Sequence, residues 1–298
     1  MKISILGFGT IGSGVYEIAK ANDIEVLKVL DLRDLEVPEL TKDFNEVLSS
    51  DSDTVVETMG GEHPAYEFVK QCLESGKNVV TSNKALVAAF GEDLIATAKA
   101  HNVQFLFEAS VGGGIPIIHV LTECLRCDDI TKVSGILNGT TNFILKQMDE
   151  NEMSFDEALK LAQKLGYAER DPSADIEGWD TCRKTAILGW LISGQLLDYK
   201  TIPTDGITKI TKDDIDKAKA EGKTIKLLGV VGKDADGKLS AYVRPTAIGP
   251  DHELYNVNGV MNAVLVESKY MGKSMYYGPG AGKLPTATAV IADVMRTK

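Results

Sequence analysis

The chain has 298 residues, 44% of them hydrophobic, with 32 Lys and Arg against 43 Asp and Glu and a net charge of -11. That length accommodates about two domains with a substantial core, and the acidic balance excludes nucleic acid or an anionic membrane surface as the main partner, because both reward clustered Lys and Arg. A small-molecule partner is expected instead. No apolar run approaches the roughly 20 residues that span a bilayer, and the N-terminus lacks the order of a secretory signal, so a cytoplasmic location is expected. Four cysteines, Cys72, Cys124, Cys127 and Cys182, are too few for a disulfide-built fold and fit a reducing compartment. Cys124 and Cys127 have C-x-x-C spacing, but no second pair or His cluster completes a tetrahedral metal site, and the segment reads as helix.

In chain order, KISIL at 2–6 predicts a strand that runs into GFGTIGSG, where Gly7, Gly9 and Gly12 have G-x-G-x-x-G spacing. Gly7 permits the tight turn, Gly9 lets the backbone approach a pyrophosphate, and Gly12 lets a helix over 10–21 pack on the sheet. Thr10 and Ile11 open that helix and join the cofactor-binding set. A second strand over 24–30 ends at Asp31, where an acid can bind the adenosine ribose hydroxyls, while Arg33 could face a 2′-phosphate. Asp31 favours NAD over NADP, and Arg33 keeps both open. Apolar runs at 54–59, 78–81 and 103–107, with helices predicted over 64–75 and 92–101, complete a Rossmann-type doubly wound parallel sheet. Ligands bind at the carboxyl ends of such strands, where TSNKA carries Ser82 and Lys84 and EASVGGGIP carries Glu108.

After a predicted helix over 116–127 the pattern changes to a strand at 132–137, the loop NGTTN and a helix over 143–149. A hairpin follows, from 224–231 to 238–243, with Asp236 and Gly237 in its turn. The fold class is therefore α/β with a second, α+β domain. Residues 1–128 form the dinucleotide-binding domain, 129–279 the substrate-binding, catalytic and dimerisation domain, and a helix within 280–298 returns to the first.

Glu169, Asp171, Asp175, Glu177 and Asp180 crowd one stretch that then delivers Lys184 to a helix apolar on nearly every face. A lysine taken out of water costs several kcal/mol unless an anion answers it, and Asp180 lies four residues earlier on the same face. Such a pair is either structural or catalytic. Asp171, Glu177 and Arg183 read as a solvated loop and helix end. His63, His101, His119 and His252 are scattered without a metal spacing. Two other functions compete with a lysine-dependent dehydrogenase. A thiol-dependent aldehyde dehydrogenase would need a nucleophile such as Cys182, and a catalytically silent dinucleotide sensor would gain nothing from Lys84, Asp180 and Lys184 together.

The motifs GFGTIG, TSNKA, EASVGGGIP, LNGTTNFIL, GYAERDPSADIEGWDTCRK and GPGAGKLPTATAV occur in one order across nearly the whole chain, which strongly resembles homoserine dehydrogenase. The resemblance implies reversible, NAD(P)-dependent interconversion of L-homoserine and L-aspartate 4-semialdehyde, on the way to threonine and methionine. Asp180 matches the family's catalytic aspartate, Lys184 its helix lysine and Lys84 its second active-site lysine. Glu169 and Asp175 match substrate-binding acids, Asn138, Gly139 and Thr140 fall in a loop lining the same cleft, and Gly280 approaches the nicotinamide. A monovalent cation, usually sodium, is implied at the Glu108 carboxylate and the backbone carbonyls of Val111, Gly113 and Ile115, an oxygen-only set that suits a hard ion. A homodimer through the second domain is also implied. Two departures from the commoner pattern are the short passage 31–53 and the end at Lys298, which leaves no room for the amino-acid-sensing domain of many relatives; feedback through such a domain is expected to be absent.

Overall fold

The computed structural model describes residues 1–234 and 236–297, which divide into two units: Met1–Pro116 with Ala281–Lys298, and Ile117–Gly280. Residues 117–128, expected in the first domain, thus belong to the second unit.

The first unit runs β1 (Lys2–Leu6), α1 (Thr10–Ala21), β2 (Glu25–Leu30), β3 (Leu40–Thr41), α2 (Phe44–Leu48), β4 (Thr54–Glu57), α3 (Ala65–Glu74), β5 (Asn78–Thr81), α4 (Lys84–Ala100) and β6 (Phe105–Leu106). Val, Ile and Leu crowd its central strands, and β4 is buried along its whole length, as strands covered on both faces must be. All six strands are parallel, in the order β3-β2-β1-β4-β5-β6. From the central pair β1 and β4 the chain winds outward in opposite directions, so right-handed crossovers place α1 and α3 on opposite faces. This is the doubly wound sheet read from the sequence. A helix over Lys283–Arg296 lies along α1 and buries Ala287, Val290, Ile291 and Val294 with Ile3, Ile5, Val15 and Val56.

Two element ends differ from the sequence reading. β4 stops at Glu57 rather than 59, because the Met59 N–H turns back to the Glu57 carboxylate at 2.8 Å instead of joining the ladder. The helix predicted over 92–101 starts at Lys84, since the Asn83 side chain caps it by accepting from the Leu86 N–H.

The second unit holds α5 (Ile117–His119), β7 (Ile130–Ile136), α6 (Gly139–Glu150), α7 (Phe155–Lys164), α8 (Ser173–Ile176), α9 (Trp179–Ser193), α10 (Lys212–Ala220), β8 (Thr224–Lys233), β9 (Leu239–Ile248), β10 (Met261–Ser268) and β11 (Gly272–Pro279). Its sheet is antiparallel throughout, in the order β11-β10-β7-β8-β9. α9 lies close on β8 because Gly229 has no side chain: a Cβ there would stand 2.2 Å from Thr185 Oγ1. The β8–β9 turn contains Asp236 and Gly237 as expected, with Gly237 at φ 78°; its Ala235 lies outside the described residues. The segment expected as one helix over 116–127 is instead α5 followed by a π-helical turn at Val120–Cys124, closed by the Leu125 N–H on the Val120 carbonyl. NGTTN is the start of α6, not a loop. No helix among the described residues is long and apolar enough to cross a membrane.

Candidate active site

The β1–α1 turn has the geometry that its glycines foretell. Gly7 takes φ 90°, and a Cβ on Gly12 would fall 2.0 Å from the Gly7 carbonyl oxygen. Gly9, at the N-cap of α1, has nothing within 4 Å of where its Cβ would stand, which leaves the helix start, with Thr10 and Ile11, open to a pyrophosphate. Beside the turn is a cavity of about 410 Å³ lined by Gly7, Phe8, Gly9, Asp31, Arg33 and Thr58, among others. Asp31 and Arg33, read above as rival ribose contacts, form one ion pair. Arg33 Nε donates to Asp31 Oδ1 at 2.9 Å and its Nη2 to Oδ2 at 2.8 Å. The Arg33 N–H adds a bond to Oδ1 and the Phe8 N–H one to Oδ2. The guanidinium and these N–H groups hold the Asp31 carboxyl well below the usual carboxylate range. Its four acceptor positions are filled, so reading a ribose diol through Asp31 requires Arg33 to let go.

In the second unit the candidate acids meet a lysine. Lys184 and Asp180 are 7% and 5% exposed, one turn apart on α9, and Lys184 Nζ donates to Asp180 Oδ2 and to the Leu137 carbonyl at 2.7 Å each. Among the described residues these bonds leave the third ammonium N–H uncommitted. Asn138 joins the pair from α6: its Oδ1 caps the helix on the Thr141 N–H, while Nδ2 donates to Asp175 Oδ1 at 2.8 Å and Asp180 Oδ2 at 2.9 Å. Asn138 thereby holds two carboxylates beside one ammonium. Gly139 and Thr140 are the first residues of α6, and the Thr140 hydroxyl donates to the Tyr167 carbonyl at 2.6 Å. Glu169 takes no part in these bonds. Its side chain is exposed, and the bond made at this residue is to its backbone carbonyl, from Gln163 Nε2. Asp171, just before α8, accepts from the Ser173 N–H at 3.2 Å. Arg183, expected in solvent, is only partly exposed and lies 5.1 Å from the centre of the Tyr199 ring.

The homoserine dehydrogenase family model matches residues 116–295, and the model of the homoserine dehydrogenase NAD binding domain matches residues 7–108. The homoserine dehydrogenases of Bacillus subtilis and Lactococcus lactis are each 41% identical to 99% of this chain, over 72% and 74% of their own lengths. A solved homoserine dehydrogenase from Thiobacillus denitrificans superposes on all of the chain and on 73% of its own with a TM-score of 0.96 at 40% identity. A hyperthermophilic archaeal homoserine dehydrogenase, solved in complex with NADPH, covers 99% of this chain and 97% of its own with a TM-score of 0.84 at 30% identity. The chain belongs to the homoserine dehydrogenase family.

As a member of the homoserine dehydrogenase family it is an NAD(P)-dependent oxidoreductase, and neither the thiol-dependent reading nor the silent sensor is favoured. Cys182 supplies a physical reason against the first. It is fully buried, its Sγ donates to the Tyr199 carbonyl at 3.2 Å, and burial pushes the thiol pKa up, away from the nucleophilic thiolate. Lys84 opens α4, half-buried, just after Ser82 and Asn83. Gly280 must be glycine, since a Cβ there would lie 1.9 Å from Asn262 Nδ2. Glu108 is 4% exposed, and its N–H donates to Asp293 Oδ2 at 2.8 Å. Burial and the Glu108 charge push the Asp293 carboxyl up to about 7, with Arg296 3.2 Å from its other oxygen.

Sequence reasoning missed the Leu137 carbonyl that holds Lys184, the Asn138 bridge, Asp293 behind Glu108, and Glu57. A charged residue within the apolar run TVVETM was the signal for the last.

Proposed function

We propose that the Asp180–Lys184 pair carries proton transfer in the reversible, NAD(P)-dependent conversion of L-homoserine to L-aspartate 4-semialdehyde. The observation that supports this reading is the buried Lys184 ammonium, fixed by Asp180 and the Leu137 carbonyl with its third N–H left over. When bound, the dinucleotide takes the hydride from C4 of the alcohol or returns it to the aldehyde. Lys184 exchanges the hydroxyl proton. In the reducing direction its ammonium polarises the carbonyl and donates the proton as the alkoxide develops. Asp180 orients the lysine, Lys84 acts as the second active-site lysine, and Asp175 and Glu169 answer the substrate ammonium. The Thr140 hydroxyl is engaged by Tyr167, so the N–H groups of Gly139 and Thr140 at the start of α6 are the donors offered to the substrate carboxylate. The cofactor contacts are Gly7, Gly9, Thr10, Ile11, Gly12, Asp31, Arg33, Ser82 and Gly280. The Glu108 carboxylate and the carbonyls of Val111, Gly113 and Ile115 would hold sodium, and the chain works as a cytoplasmic homodimer.

Initial rates of L-homoserine oxidation with NAD and NADP in parallel, with and without sodium, test the activity, with L-serine as the control. Lys184→Ala is expected to keep dinucleotide affinity and to lower kcat by roughly 10²- to 10⁴-fold, the usual worth of a positioned acid–base group. Wild-type turnover by that variant would sink the assignment.

A further inference from the structure

Glu57 is the last residue of β4 and is fully buried. Its Oε1 accepts from the N–H groups of Met59 at 2.8 Å and Gly60 at 3.2 Å, and more weakly from Asn83 Nδ2 at 3.4 Å. Its Oε2 accepts from the Thr81 hydroxyl. Thr81 Oγ1 also accepts the Asn83 N–H at 2.9 Å, so this hydroxyl links Glu57 to the turn after β5. Burial pushes the Glu57 carboxyl pKa up, and the donors converging on it from Thr81, Met59, Gly60 and Asn83 work against that shift. Asn83 extends the network, with Nδ2 on the Gly61 carbonyl at 2.6 Å and Oδ1 capping α4.

We propose that Glu57 is a positioning residue for the oxidoreductase reaction, its carboxylate tying the turn after β4 to the turn after β5 that presents Lys84. The two turns lie at the carboxyl ends of adjacent parallel strands, where ligands of such sheets bind. Thr58 and Met59 in the first turn line the dinucleotide cavity, and Lys84 follows Asn83 directly in the second. Sheet pairing alone does not call for an ionised group here. An apolar residue would complete β4 equally well and would avoid the cost of burying a charge. What an apolar residue would lose is the link between the turns. The proposal rests on the reading of Lys84 as an active-site lysine.

Three variants of the full chain test it by kcat per folded molecule, dinucleotide binding by fluorescence titration, and thermal melting. Asn83→Ser keeps an oxygen to cap α4 but removes the amide donor to Glu57 and Gly61. It should lower kcat roughly tenfold and leave dinucleotide affinity unchanged, the scale of loss that a small misplacement of a reacting group causes. Glu57→Gln also loosens the turn at 58–60, so it should lower kcat roughly 10- to 100-fold and weaken dinucleotide binding severalfold. Wild-type kcat per folded molecule in both variants, with only the melting temperature reduced, makes Glu57 purely structural and overturns the proposal. A kcat loss in Glu57→Gln that Asn83→Ser does not share overturns the route through Asn83. Lys84→Ala in the same assay separates the two levels: unchanged turnover there overturns the reading of Lys84 itself, whatever the other two variants do.

Discussion

A carboxyl group shut away from water responds to pH in the opposite sense from one governed by a neighbouring cation, and at Asp293 burial outweighs the Arg296 guanidinium 3.2 Å away. Burial, with the Glu108 charge adding to it, raises its pKa from 3.8 to about 7. Below about 4 the group is protonated in both folded and unfolded chains. Between about 4 and 7 the folded chain keeps a proton that the unfolded chain has released, so this contribution to stability declines as pH rises through that window and is lost above it. Asp293→Asn is expected to flatten the fall in melting temperature between pH 5 and pH 8; an unchanged slope in scanning calorimetry would refute the assignment. Sodium, if it sits beside Glu108, should raise the melting temperature at pH 8 more than choline does. At this scale the sequence was partly legible. The i, i+4 spacing of Asp180 and Lys184 announced a pair, and the glycines of the β1–α1 turn announced a phosphate cradle. Asn138 bridging to Asp175 and Asp180 could not be seen locally, because its partners lie 37 and 42 residues away. Glu169 rested on family resemblance alone, and its exposure gives it no structural support within the cluster.

Among the elements, strands buried on both faces were the easiest to read, since unbroken Val and Ile runs leave few alternatives. The start of α6 was misread because NGTTN has the composition of a turn, and the helix is chosen there by distant groups. Asn142 Nδ2 donates to the Val257 and Met261 carbonyls, and its Oδ1 accepts from Lys226 Nζ at 3.1 Å. Lys226, on β8 and 1% exposed, also donates to the Val257 carbonyl and Asn258 Oδ1, and burial pulls its pKa down to about 8. The lysine thus laces β8, α6 and the segment before β10 together. Lys226→Met is expected to destabilise the second unit by roughly 2 kcal/mol, as buried oxygens left without their donor cost more than relief of the buried charge returns. Urea unfolding followed by the fluorescence of Trp179 and Trp190, both on α9, would read this directly. The β10–β11 hairpin escaped sequence reading because β11 is an edge strand with alternate residues exposed. Its bend is set by Asp128, which accepts from the Ser268 hydroxyl and the N–H groups of Tyr270 and Met271.

At the scale of the whole molecule, that same edge bears on assembly. Met275 and Tyr277 on β11 are 44% and 55% exposed beside an unpaired row of backbone groups, an arrangement that isolated chains avoid. A homodimer through the second unit would cover it. Light scattering on a sizing column should therefore give twice the 32.2 kDa of one chain, and Met275→Lys with Tyr277→Lys should halve it. A wild-type mass of one chain would remove the dimer from the account. The first unit has a further consequence, which lies in the order of synthesis. Its core includes Ala287, Val290, Ile291 and Val294, although the rest of that core comes from before residue 117. The second unit is contiguous, from 117 to 280, and is synthesised in full before that helix is made. The dinucleotide sheet, whose strands are made first, therefore waits with the α1 face uncovered, a nascent surface open to chaperones until residues 283–296 arrive.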